Sequence, residues 1–386
     1  MKPARVRSIA VMVGVAVLAI GTLAAAVLLL VRKPAPEAPR KASTPRFRIG
    51  YYEGGSYPNY DQILASMATE LVALGWLDGA PDLLSGDRAA APLWSSLSRE
   101  SQSDHIVFVE EAYWSANWDD DARVALREDA LARLRAGEVD VVLAFGTWGG
   151  KDLVNGEHNV PVLVISSSDP VQAGIVPSED DSGHDHVHVA MDPTRYARQV
   201  RAYHDILAFG RLGIIYEDTV NGRSYAGVDL VQRVADEEGF ELVTYVDPTE
   251  NVDEAAVAEY RAGLEELAPR IDAMYVTHHG GVSLETLPQF AEYLAEMGIP
   301  SLAQGNAEWA GQGLLLSVAA MGFGDKGRFA AETLGKVLNG ARPGDLPQCF
   351  EEEQGIAINL DTAQRIGFAV PSGLLSAADR IYGAAQ

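Results

Sequence analysis

The chain has 386 residues and carries 30 Lys and Arg against 54 Asp and Glu, a net charge of −24. That acidity excludes a protein that coats nucleic acid, which needs a basic face, and an apolar fraction of 47% excludes a wholly disordered chain. A single cysteine, Cys349, excludes an internal disulfide framework and any zinc site built on two cysteines.

Residues 9–31 form an uncharged run whose only polar side chain is Thr22. Its 23 residues make about 34 Å of helix, enough to cross a hydrocarbon core of about 30 Å. The run is longer than the core of a cleavable signal peptide, so an uncleaved membrane anchor is expected. Cleavage near Ala24-Ala25-Ala26 is the alternative. Basic residues flank the run on both sides (Lys2, Arg5 and Arg7 before; Arg32, Lys33, Arg40, Lys41, Arg46 and Arg48 after), so charge counting does not orient it. Pro34, Pro36, Pro39 and Pro45 make the next stretch a semi-rigid spacer. Up to Arg46 the chain carries a net +7, which leaves −31 for the folded remainder.

From residue 47 short apolar runs alternate with amphipathic stretches. Strands are expected at 47–52, 105–110, 139–145, 160–166, 211–216, 241–246, 273–277 and 301–303. Helices are expected at 60–74, 120–136, 194–207, 224–238, 252–268 and 284–297. This alternation predicts parallel sheets wrapped by helices, an α/β class. Asp140-Val-Val-Leu-Ala-Phe-Gly-Thr-Trp-Gly-Gly150 and Asp272-Ala-Met-Tyr-Val-Thr-His-His-Gly-Gly281 are each followed by a second strand entered through Pro, as in two similar lobes. In such sheets ligands bind at the carboxyl ends of the strands.

Three motifs carry a family resemblance. Ser166-Ser-Ser-Asp-Pro-Val171 followed by Gly174-Ile-Val176 resembles a "TDPV.AGLV" turn. Leu212-Gly-Ile-Ile-Tyr-Glu217 with Asn221 resembles a "GVLYNPxExNS" strand and loop. Ile358-Asn-Leu-Asp-Thr-Ala-Gln-Arg-Ile-Gly367, then Val370-Pro-Ser-Gly-Leu-Leu375, resembles an "INLxTAxxLGxxIPxxLL" signature. These are features of ABC-transporter substrate-binding proteins of the tryptophan/tyrosine-binding type, and the match runs from about Phe47 to Ile381. The resemblance implies a two-lobed type I periplasmic-binding fold, an extracytoplasmic location, an ABC permease as partner, and hinge closure on a small ligand without chemistry. The implied organisation is a basic segment (1–8), an anchor or signal (9–31), a linker (32–46), a first lobe (47–182 and 318–350) and a second lobe (183–317 and 351–386). The sequence departs from the family at 82–104, which is longer and more polar, and at Gly183-His-Asp-His-Val-His188 in place of "GGNxTG". Thr277-His-His-Gly280 stands in place of "TDNT".

The candidate ligand residues sit at strand ends. Thr147 and Trp148 open a helix whose free N–H groups attract an anion; a tight turn with Trp148 in the core is the alternative. Ser167, Ser168 and Asp169 offer hydroxyls and a carboxylate, although Asp169 before Pro170 also fits a helix cap. Tyr51, Tyr52, Glu53 and Tyr57 could sandwich a flat ligand, with Glu53 meeting an ammonium group, or form a plain loop. Glu217, Asn221 and Ser224 follow a strand in the second lobe, where Asn221-Gly222 is equally a turn signal. Thr277, His278 and Gln304 complete the set. His184, His186 and His188 would share one face of a strand and could bind zinc or nickel with His278 and His279, or simply be surface residues. Tyr113, Trp114 and Trp118 either line the cleft or plug the lobe. Gly322-Phe-Gly-Asp-Lys-Gly327 matches G-x-G-x-x-G, but no parallel strand with an acidic end follows, so it reads as a turn into a helix. No cofactor is expected. The rival functions are a membrane-tethered ligand-sensing module and a His-cluster metal-binding protein.

Overall fold

A computed structural model describes residues 39, 45–79, 90–248 and 251–383. Strands β1 (Phe47–Glu53), β2 (Ile106–Ser115), β3 (Val141–Phe145), β4 (Val162–Ile165) and β5 (Val187–Val189) form a parallel sheet in the order β2-β1-β3-β4-β5. β6 (Arg211–Glu217), β7 (Glu241–Asp247), β8 (Ala273–Val276), β9 (Ser301–Ala303), β10 (Leu316–Ala319), β11 (Gly355–Asn359) and β12 (Arg380–Tyr382) form a second sheet in the order β12-β11-β10-β9-β8-β6-β7. Within it only the β10–β11 pair is antiparallel. β3, β4 and β8 are buried along their whole length, as strands covered by helices on both faces must be.

The two-lobed α/β fold expected from the sequence is present, and it explains where the motifs fall. The strand order reverses beside β1 in one sheet and beside β6 in the other. Crevices open at such switch points, which lie at Glu53 and the turn after β3, and at Glu217 and the turn after β8.

The lobe boundaries differ from the expected ones. β5 pairs with β4, so the first sheet runs past residue 182. The expected break at 317/318 falls inside β10, which pairs on both sides within the second sheet. The helix Gly324–Leu338 then returns to the first core, where Leu334 and Leu338 join Ile63, Leu64 and Leu71. Two crossing segments are tied to each other: Met191 N donates to Gln348 O and Phe350 N to Met191 O, both at 3.0 Å. Asp192 beside them receives Arg198 and the Glu352 N–H, at 2.9 and 3.0 Å.

The expected membrane-spanning run of 9–31 and most of the 32–46 spacer lie outside the described residues. Among the described residues no helix is long and apolar enough to cross a membrane.

Candidate functional site

The carboxyl ends of both sheets supply side chains that meet. After β4 the chain turns at Ser166, whose φ of 65° is unusual for a residue with a side chain and marks a strained position of the kind found at ligand clamps. That turn brings the Ser167 hydroxyl 3.3 Å from that of Thr147, with both residues buried. Asp169 accepts from Gln172 N at 2.9 Å, the capping role read from its place before Pro170.

Hydrogen bonds join the lobes here. Lys151 Nζ donates to Asn221 Oδ1 at 2.7 Å, Ser224 Oγ donates to Asp169 O at 3.1 Å, and the Tyr57 hydroxyl lies 3.1 Å from His278 Nδ1. His278 is half-buried, with its ring beside Trp309 at 5.1 Å. Burial, then the positive charges of Arg195 and Lys326, pull its pKa down to about 3, so His278 is a neutral imidazole at ordinary pH. Asn221, Ser224 and His278 thus meet Lys151, Asp169 and Tyr57 of the first lobe, Lys151 and Asp169 lying in the helix and turn that carry Thr147, Ser167 and Ser168. Trp148 stands at the first-lobe turn, edge-on to Trp118 and under the Arg123 guanidinium at 4.1 Å.

Other candidates are drawn into the scaffold. The Tyr52 ring is fully buried in the first lobe and its hydroxyl donates to Asp152 at 2.7 Å. It is a core residue, because an inward position on a buried strand faces the lobe interior. Glu53 is likewise fully buried, and its two oxygens accept from Tyr51 and Tyr113 at 2.8 and 2.7 Å. A cavity of about 410 Å³ beside it is lined by first-lobe residues, among them Ser56, Tyr113 and Asn117. Thr277 donates to Ile215 O at 2.7 Å and Gln304 Nε2 to Tyr225 O and Ala226 O at 3.0 Å. Gln304 also accepts the His278 N–H at 2.6 Å, so it positions that residue from behind. Glu217 is buried and accepts from Gly280 N at 2.8 Å. His279 is also sealed. Its Nδ1 accepts from Gly281 N at 3.0 Å, which leaves the proton on Nε2, 3.2 Å from Asp247.

The one-faced histidine stripe expected at 184–188 is not formed. Only Val187–Val189 is strand, so the three side chains do not share a face. His188 turns inward to Pro347 O at 3.0 Å, while the His184 and His186 rings lie 5.3 Å apart and His158 stacks edge-on against His186. Among the described residues no group of three His, Cys, Asp or Glu side chains is placed to hold a metal ion. Trp114 packs in the lobe and donates to Asp129 at 2.8 Å, and Trp118 lies over Gly54 and Gly55. The Gly322–Gly327 motif is the turn into Gly324–Leu338, as its sequence suggested.

Sequence reasoning missed Arg195 and Lys326. Both sit in the first turn of a helix, Arg195–Leu207 and Gly324–Leu338, where a cation opposes the helix dipole. A basic residue just after a crossover, in so acidic a chain, was the available signal.

A family model described as ABC transporter substrate binding protein matches residues 114–382. A tyrosine-binding protein of Clostridioides difficile (strain R20291) is 24% identical over 228 residues, 59% of this chain and 63% of the relative. The match therefore spans less than two thirds of that relative's length. Among solved structures, an ABC domain from Streptococcus pneumonia in complex with L-Trp aligns with a TM-score of 0.65 at 18% identity, over 87% of this chain and all of that one. The ligand-free, open structure of a substrate binding protein with adhesive properties from Clostridium difficile aligns with a TM-score of 0.61 at 19% identity, over 88% and 100%. At these identities the structural likeness establishes the fold.

Proposed function

This chain belongs to the ABC transporter substrate-binding proteins, a family of solute-binding proteins and not of enzymes, and from that premise we propose that it captures a small carboxylate-bearing solute between its lobes. The solute is an amino acid or a close analogue, the site is extracytoplasmic, and the closed form docks on an ABC permease. One observation carries this reading: polar side chains from the carboxyl ends of both sheets converge on one region, with Tyr57 and His278 meeting at 3.1 Å. Closure of this kind needs a ligand that binds the closed state better than the open one. Bonds such as Lys151–Asn221 and Ser224–Asp169 would help to hold that state. The ligands printed in the names of two relatives, tyrosine and L-Trp, support an aromatic solute.

Native mass spectrometry and small-angle scattering of the full-length protein test the reading. A small molecule released on unfolding, and a smaller radius of gyration when an amino acid or its desamino analogue is added, are expected. Asn221→Ala should weaken that binding about fivefold, the worth of one hydrogen bond of about 1 kcal/mol. Absence of binding by both series of compounds would overturn the proposal.

A further inference from the structure

The inter-lobe region carries more positive charge than a zwitterion calls for. Arg195 donates through Nη2 to Ser168 O at 3.1 Å and to the Tyr196 hydroxyl at 2.8 Å, and its guanidinium stacks on the Tyr196 ring. Its Nε is buried and has no partner. Lys326 Nζ lies 3.0 Å from Glu352 Oε1, and Asp192 is taken by Arg198 at 2.9 Å. Arg195, Lys326 and Arg198 therefore outnumber Asp192 and Glu352, whose charges also act on Arg195.

His278 reports the field at this place. Beside burial, the positive charges of Arg195 and Lys326 lower the pKa of its imidazole. A ligand ammonium beside it would meet the same repulsion, and a carboxylate would be attracted. Nearby carboxylates are engaged elsewhere: Glu53 is sealed under two tyrosine hydroxyls, Asp169 caps its own turn, and Glu217 accepts from Gly280 N.

We infer that the site selects a carboxylate that carries no ammonium group, with Arg195 as its anion-binding residue and Lys326 as a supporting charge. This rests on the solute-binding reading and narrows its ligand class. The free Nε–H of Arg195 supplies a charge-assisted donor to the carboxylate, a role Lys326 fills less well because its ammonium is a point charge already matched by Glu352.

Calorimetric titration of the full-length protein decides it, using pairs that differ only in the ammonium group. The probes are L-tyrosine with 3-(4-hydroxyphenyl)propanoate, L-tryptophan with 3-(indol-3-yl)propanoate, and L-leucine with 4-methylpentanoate. The ammonium-free member of at least one pair is expected to bind at least tenfold tighter. Arg195→Gln should erase at least tenfold of that affinity and weaken any binding of the matching neutral amide far less. Lys326→Gln should weaken the same acid severalfold, and it keeps the test open if Arg195→Gln does not fold. Amino acids that bind as tightly as their desamino partners, or tighter, would overturn the inference and leave the solute-binding reading standing. If neither member of any pair binds, both fall.

Discussion

Asp152 is a buried carboxylate with two partners, the Tyr52 hydroxyl at 2.7 Å and the Arg123 guanidinium at 2.9 Å. Removing one of them leaves the charge matched by the other, so Tyr52→Phe should cost only about 1 kcal/mol in urea unfolding. Ligand affinity should not change, because the ring is buried in the first lobe. A loss of affinity at unchanged stability would put Tyr52 back in the binding region. At this scale the residue types were legible but their partners were not. Glu53 and Tyr52 occupy adjacent strand positions, and sequence alone could not show that Tyr51, Tyr113 and Asp152 satisfy them from within the lobe. Arg195 and Lys326 were overlooked for a related reason, since first-turn basic residues look like surface until crossing segments fold over them.

Long elements followed their patterns closely. The expected helix at 120–136 is Asp120–Arg135, capped by Asp119, and the strands at 211–216 and 301–303 are β6 and β9. The expected helix at 224–238 is two helices, broken at Gly227 with φ 62°. β5, β10 and β12 escaped, because no periodic run or turn signal marks them and they acquire their identity only from the strand beside them. The helix Gly324–Leu338 shows what its glycines are for. A Cβ at Gly327 would sit 2.3 Å from Ser66 Oγ and 2.7 Å from Met67 N, on the neighbouring helix Pro58–Ala73. Gly327→Ala should therefore push the two helices apart and cost about 1–3 kcal/mol in thermal or urea unfolding. Unchanged stability would show that the helices can slide without loss.

For the molecule as a whole, His188 links stability to pH. It is sealed and bonded to Pro347 O, and burial pulls its pKa to about 4 against that bond. The unfolded chain, with an ordinary histidine near ~6.5, binds the proton that the folded chain refuses. Stability from this group is complete above that value and is lost as pH falls toward about 4, on the order of 3 kcal/mol at most. Urea unfolding at pH 7 and pH 4.5 should show the drop, and His188→Gln should flatten it. A wild-type slope that survives the substitution would assign it to other groups.

By itself the sequence determined the α/β class, the two lobes, the family and the strand-end turns that carry polar side chains, because periodicity and turn chemistry are local properties of the chain. The tertiary structure alone decided which of those side chains stay in the inter-lobe region and which are sealed into a lobe. It also placed Arg195 beside Ser168 and Lys326 beside Glu352, 27 and 26 residues away along the chain. Burial, and with it the charge a ligand meets, arises only when segments remote in sequence close around the same space.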